Sequence, residues 1–563
     1  MRFRLALIAA LFCALGTAAS AATPTVDTLP IPGHPQWVRI ARDLLHVRYA
    51  IDGSQASQAG LMDDATLAPS YSPAVVTAEA ARLRADMAAM RRLPWRSWSV
   101  DEQIDIRFLY ALAQDDLRQL TVEKLYLHRP SQWLESLANN YINILTYAPE
   151  REDVRAKLTA QIPAMVAQMR KICTQPTARD ASTAAGVIDG MVEMLKMEPA
   201  SAARESAIAS LTSYEQELKA MHPAREYTVI GAANYAWRLR HVELLPWTPQ
   251  QLLALAQREL KRVDTDMAAL KPQVKDPQPT PEQIALAKSL DQQKLLALYN
   301  AIETNHRQVL DGLNIITVPA GVGPIVARVT PDAMVPLGGD GGSMNPPATY
   351  SNSNVGYWNV EHFHADMPLK DRIDTVVNAQ DFNLTGMGPY SVHEGIPGHH
   401  LQLSIARLNR VPLRSIVSDP VQNEGWALYA EDEFWQAGGL GRSANAHFNT
   451  LRSWRFRVRR VFYDVNVESG SWTLQEASDW QQSAAPGKGI INDDVLRAIN
   501  WPAQLICYFA GKEQILQLKA AYKAKMGRRY SEKAFNDALL SLGSVPYVFA
   551  RAKLLGEPVP AFD

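Results

Sequence analysis

The sequence predicts a mainly α-helical fold interrupted by one small β-sheet, and three observations predict it. Apolar residues recur at helical spacing over most of residues 77–312. Between about residues 315 and 360 the texture changes to short β-branched runs bounded by Pro and Gly. Helical periodicity returns from about Tyr390 onward. The chain divides accordingly into residues 1–21, a helical region 22–312 and a region 313–563 that carries the chemistry.

Residues 1–21 read as a secretory signal peptide. Arg2 and Arg4 precede an apolar run over residues 5–15, and Ala19-Ser20-Ala21 is a small-x-small cleavage signal. The run is too short to span a bilayer, and bulky Leu11 and Phe12 ahead of Cys13 disfavour a lipid-attachment reading. No later segment holds eighteen uninterrupted apolar residues, so the mature chain is expected to be exported, periplasmic or extracellular, with no transmembrane segment. Cys173 and Cys507 then remain, and both read as buried small hydrophobes. Lys plus Arg is 57 and Asp plus Glu is 58, a formal charge of −1 with no basic block, which argues against nucleic acid as a partner.

The helices follow in order. Residues 77–92 are amphipathic, and a second helix starts at Asp101 with Ile104, Ile106, Leu109, Leu112 and Leu117 on its apolar positions. Residues 151–172, 183–196 and 201–222 repeat the pattern. Thr248 is an N-cap with Pro249 at the first helical position, ahead of residues 252–270. Residues 281–312 read as one further long helix. Residues 315–318, 325–329 and 355–360 read as strands, with a Gly-rich loop over 337–343. That loop is no phosphate cradle, because no Lys-Ser or Lys-Thr follows it.

The chemistry concentrates in His393-Glu394-Gly395-Ile396-Pro397-Gly398-His399-His400. Three of the 12 His in the chain fall in these eight positions. Imidazoles beside a carboxylate are what a metal-dependent hydrolase needs: neutral nitrogen ligands and an adjacent base. The spacing does not suit a regular helix. A ligand four residues on is rotated only about 40°, whereas His399 lies about 120° around and His400 about 10 Å further along the axis. Pro397 clashes with the carbonyl four residues back, that of His393, and Gly398 permits unusual backbone angles. A break there can bring a later imidazole back beside His393. Re-aimed His399 is the working hypothesis, with His400 turned elsewhere, although spacing alone leaves both open. The third ligand is expected to be Glu424, at the start of a helix between Asp419-Pro420 and Gly438-Gly439. Glu431, seven residues later, is too far along to share the ion and would orient a ligating His.

With Glu424-Gly425-Trp426-Ala427-Leu428-Tyr429-Ala430-Glu431 added to the His393–His400 segment, the chain resembles the bacterial family catalogued as domain of unknown function 885. Further points of resemblance are Arg457 and Arg460 ahead of Asp464, Gly470-Ser471-Trp472-Thr473, Pro502-Ala503-Gln504 with Tyr508 and Gly511, Phe535-Asn536 and Gly543-Ser544. That family is similar to the gluzincin zinc peptidases. The resemblance implies a large helical gluzincin-like fold with a small sheet near the cleft. It also implies one zinc ion held by His393, His399 and Glu424, Glu394 as general base, and a sheet that binds extended peptide. Two positions depart from the family: Glu468 stands where a His is common, and Phe535-Asn536 stands where Phe-His is common. An ionised Glu468 facing the cleft would repel a developing oxyanion. Tyr508 is the candidate donor to that oxyanion, and Arg457, Arg459 and Arg460 are candidates to fix a substrate carboxylate.

The leading expectation is therefore an exported zinc-dependent peptidase in which Glu394 takes a proton from the attacking water and passes it to the leaving amine. Three other readings compete: a metal-dependent hydrolase of esters or non-peptide amides, an exported zinc-binding protein without turnover, and a helical scaffold with no metal.

Overall fold

The computed structural model describes residues 24–409, 413–482 and 492–562. The proposed signal peptide lies outside the described residues. The structure is 69% helix and 2% strand, so packing between helices carries the core. No described helix is long and apolar enough to cross a membrane.

The helices start where side chains satisfy their first amide groups. Ser72 accepts from Val75 N ahead of Pro73–Arg92, and Ser99 and Glu102 form a reciprocal capping box ahead of Val100–Arg118. Thr248 caps Pro249–Leu270 in the same way, with Pro249 at the first helical position as predicted. The periodic stretches 151–172, 183–196 and 201–222 appear as Glu152–Ile172, Ala178–Met197 and Ala202–Ala220, which pack on one another. The stretch 281–312 is two helices, not one. Pro281–Lys288 ends, and Asp291 caps Gln292–Leu313 by accepting from Lys294 N.

The sheet has three strands in the order β1-β3-β2. β1 (Ile325–Val329) runs parallel to β3 (Gly356–Val360), and β2 (Ser343–Asn345) runs antiparallel to it from the far side of the Gly-rich loop. The expected strand at 315–318 does not form. Its polar groups are taken by side chains of the helix Glu532–Leu540: the Asp537 carboxylate accepts from Thr317 N at 2.7 Å and Thr317 Oγ1 at 2.6 Å, and Asn536 Nδ2 donates to Ile315 O at 2.9 Å. β-branched residues alone do not make a strand when side chains outcompete a neighbouring strand for the backbone.

The main hydrophobic core among the described residues runs from Val26 to Val559, with Trp37, Trp133 and Trp426 fully buried in it, and three smaller clusters flank it. Cys173 and Cys507 are free thiols buried within it, as expected. Polar ties join the early helices to the C-terminal part. Arg414 Nε donates to Asp105 at 2.6 Å, and Arg107 Nε donates to Pro560 O at 3.0 Å.

Two contacts set the position of the chemistry. The helix Pro420–Gln436 lies along Cys507–Met526, and Ala444–Glu468 lies along Pro249–Leu270. The first pair is unusually close. A Cβ placed on Gly425 would stand 2.5 Å from the Gly511 backbone, so only glycine admits the crossing. Gly425→Ala should therefore overpack this crossing and cost about 1–3 kcal/mol. Gly312→Ala, in an exposed helical position with open space around its Cβ, should be neutral or stabilising by up to about 1 kcal/mol. Denaturant midpoints of the two variants check the contrast.

Candidate metal centre

The helix Met387–Glu394 stops immediately after the His-Glu pair, and the next helix begins at His399. Residues 395–398 form a turn, with a cis peptide bond between Ile396 and Pro397. The regular helix is broken where Pro397-Gly398 was predicted to break it. Gly398 is required by close approach, since a Cβ there would lie 2.1 Å from His393 O and 2.2 Å from Val392 O. Two contacts pin the turn from outside. Trp426 Nε1 donates to Pro397 O at 2.9 Å, and Ile396 N donates to the buried Glu303 carboxylate at 3.3 Å.

The break places His399 beside His393, with ring centroids 4.7 Å apart and nearly perpendicular. Asp419 and Pro420 start the next helix as predicted, and that helix carries Glu424 to the same point. Glu424 Oε2 lies 3.3 Å from His393 Nε2 and 3.2 Å from His399 Nε2. The three ligand atoms all lie within 4.8 Å of one another. Two ligands at about 2.0–2.1 Å from a tetrahedral zinc stand roughly 3.3 Å apart, so the spacing suits such an ion.

The surrounding hydrogen bonds sharpen this fit. Glu431 is buried, and its Oε1 lies 2.9 Å from His393 Nδ1. A carboxylate only accepts, so Nδ1 carries the proton and the Nε2 lone pair points at Glu424. With Nε2 unprotonated, two acceptors face one another in a largely buried site, and Glu424 Oε2 accepts no well-aligned hydrogen bond among the described residues. Such an arrangement calls for a cation. Without one, the carboxylates of Glu424 and Glu431 outweigh burial and raise His393 to about 9, while His399 and His393 hold Glu424 well below the usual carboxylate range despite its burial. His400 does not join the group. Its Nε2 donates to Gly323 O at 2.9 Å, and burial lowers it to about 4.

Glu394 follows His393 directly and is 6% exposed; burial is the largest influence on it and raises its pKa. Tyr508 stacks on His393 with ring centroids 5.9 Å apart. Its hydroxyl accepts from Arg497 at 3.2 Å and from Gln504 at 3.4 Å. Both partners donate through N–H groups, so the phenolic proton remains free to be donated.

The two departures from the family pattern lie elsewhere. Glu468 is fully buried, and its Oε2 accepts from Ile230 N at 2.9 Å, with burial raising it to about 7. It holds the segment ahead of the helix Ala232–His241, so the expected repulsion across the cleft has no structural basis. Asn536 accepts from Tyr429 OH at 2.9 Å and anchors residue 315. Of the three arginines, Arg460 is paired with Asp494 and Arg459 donates to Gln481 Oε1 at 3.0 Å. Arg457 bears on Glu394 and His393 electrostatically, and its Nε is buried without an acceptor among the described residues.

Sequence reasoning missed Gln504. Its Nε2 donates to Glu424 Oε1 at 3.2 Å, and it also reaches Tyr508. It follows Ala503, whose φ of 69° lies in the left-handed region. The segment Pro502-Ala503-Gln504 stood out in the sequence, but nothing in its residue types aims Gln504 at a carboxylate.

If Glu431 orients His393, then Glu431→Gln should weaken zinc affinity about 10–100-fold. His400→Ala should leave one zinc per chain. Competition titration with a chelator of known affinity measures both.

The pattern of the family described as "Bacterial protein of unknown function (DUF885)" matches residues 54–554. No curated protein matches the sequence. Among solved structures, a candidate lipoprotein of unknown function from Shewanella oneidensis superposes with a TM-score of 0.71 at 19% identity, covering 93% of this chain and 100% of its own. A candidate lipoprotein from Colwellia psychrerythraea superposes with a TM-score of 0.70 at 17% identity, covering 92% of this chain and 99% of its own. Both share the fold. The chain belongs to the DUF885 family.

Proposed function

We propose that this chain is an exported zinc-dependent peptidase of gluzincin type. The observation that carries the reading is the convergence of His393 Nε2, His399 Nε2 and Glu424 Oε2 beside Glu394, with Glu431 fixing the His393 tautomer. A structural zinc site is usually closed by four protein ligands, whereas a catalytic one takes three and keeps a position open. The described residues supply three to this group.

Zinc bound there would polarise a carbonyl and bring the pKa of a water toward neutrality. Glu394 would take the proton of that water and return it to the leaving amine, and burial, which raises its pKa, supports that role. Tyr508 would offer its free proton to the oxygen on which charge develops, and Arg497 and Gln504 hold its hydroxyl in place. A peptide is favoured over other amides or esters by the sheet. β2 is an edge strand packed against the His399 helix, and an edge strand pairs with an extended backbone. Export rests on residues 1–21 and agrees with the description of both matched structures as candidate lipoproteins.

Glu394→Gln should keep one zinc per chain and lose about 10²–10⁴-fold in kcat/KM on a peptide mixture. Elemental analysis and mass-spectrometric product mapping read the two effects. Undiminished hydrolysis would remove Glu394 from the chemistry, and a purified protein that takes up no zinc would end the reading.

A further inference from the structure

A cavity of about 330 Å³ opens beside the metal centre, between the helix Pro130–Tyr147 and the segment Asn500–Cys507. Gln504 is common to both: it lines the cavity and donates to Glu424 Oε1 at 3.2 Å. Pro420, the first residue of the Glu424 helix, also lines it. The cavity therefore begins one side chain from a metal ligand, and its size suits one or two residues of a peptide.

Its walls hold more carboxyl groups than guanidiniums. Glu123, Glu135, Asp180 and Glu243 line it, against Arg129 and Arg238. The whole chain is nearly neutral, at 57 basic and 58 acidic residues, so this is a local excess. The two guanidiniums are already engaged. Arg238 is shared by Asp115 at 2.9 Å, Glu123 at 3.5 Å and Glu243 at 3.7 Å. Arg129 donates to the carbonyls of Asn500 and Thr228 and stands 4.0 Å from Asp180. Asp180 is satisfied by the hydroxyls of Ser131 and Thr177, each at 2.7 Å.

Glu135 has no ion-pair partner among the described residues, and Glu243 has only the shared Arg238 at 3.7 Å. Among the described residues no cation lies within 4.0 Å of Glu135, whose Oε1 accepts only from Trp501 Nε1 at 3.2 Å. Glu243 is 7% exposed, lines the cavity and accepts no hydrogen bond from the described residues. A carboxylate so deeply buried is costly unless it is paired and hydrogen-bonded. Burial accordingly pushes Glu135 up to about 7 and Glu243 up to about 8, because the resident arginines do not offset it. The indole of Trp501 adds an aromatic wall, and an aromatic face next to carboxylates is a setting for an ammonium group.

The geometry points to this cavity as a substrate subsite that takes a cationic group, with Glu135 and Glu243 as its specificity-determining residues. The inference rests on the peptidase reading and names its substrate class: peptides that carry an ammonium group close to the bond cut. That group can come from two sources, the amino terminus or a lysine side chain.

The test uses binding, so that it does not depend on turnover. The zinc-loaded Glu394→Gln protein is titrated calorimetrically with a short peptide in four forms: free or acetylated at its amino terminus, each with lysine or norleucine. At least one ammonium-bearing form should bind roughly 10–100-fold tighter than the doubly neutral form, the worth of a charge-assisted hydrogen bond. Loss on acetylation assigns the amino terminus, and loss on replacing lysine assigns the side chain. Adding Glu135→Gln or Glu243→Gln, both isosteric, should reduce the preference to within about threefold. Equal affinity for all four forms would overturn the inference, as would a preference untouched by both substitutions. Wild-type hydrolysis of the same peptides separates the two claims. Cleavage without charge preference leaves the peptidase and removes the subsite, whereas charge-selective binding without cleavage does the reverse.

Discussion

The site depends on one constraint: the backbone between Glu394 and His399 cannot be helical. A continuous helix would separate the two imidazoles around and along its axis. The turn over residues 395–398 folds them back onto one point and leaves Glu394 at the end of its helix, beside them. Everything around the turn serves to hold it. Trp426 takes the Pro397 carbonyl, Glu303 takes the Ile396 amide, and glycine at 398 lets the chain pass over the end of the preceding helix. Trp426 sits on the same helix as Glu424 and Glu431, so the support for the turn and the remaining ligand sphere form one rigid element. Precision of this kind is cheaper on helices than on loops.

The same helix is positioned in turn by the close crossing at Gly425 and Gly511. That crossing brings Tyr508 and Gln504 to the metal centre, because both belong to the segment that starts the partner helix. Gln504 then connects the centre to the acidic cavity. A single packing contact between two glycines thus aligns a candidate metal ligand, a candidate oxyanion donor and a candidate specificity pocket.

The clustering of His393, His399 and Glu424 was legible in the sequence because its logic is local. Pro397-Gly398 forbids a regular helix, Asp419-Pro420 starts one, and Glu431 lies on the face of Glu424 at the right remove to reach His393. The long helices were legible for the same reason, through periodicity and caps such as Thr248-Pro249. What depended on tertiary partners was not. Residues 315–318 have strand-like composition but give their polar groups to Asp537 and Asn536, which lie more than two hundred positions away. β2 is three residues beside a glycine loop, too short for any alternation to register. Gln504 and Glu135 acquire meaning only when the two ends of the chain meet. Glu468 illustrates the opposite error: a substitution in a motif suggested a repulsive charge at the site, whereas the side chain points into the body of the protein and holds Ile230.

The central claim is that two imidazoles separated by an irregular turn share one zinc ion with Glu424. Anomalous diffraction at the zinc absorption edge, on crystals of the purified mature protein, tests it most directly. The account predicts a single strong peak within about 2.0–2.2 Å of His393 Nε2, His399 Nε2 and Glu424 Oε2. A zinc-replete crystal with no peak there, or a peak ligated by His400 in place of His399, would contradict it.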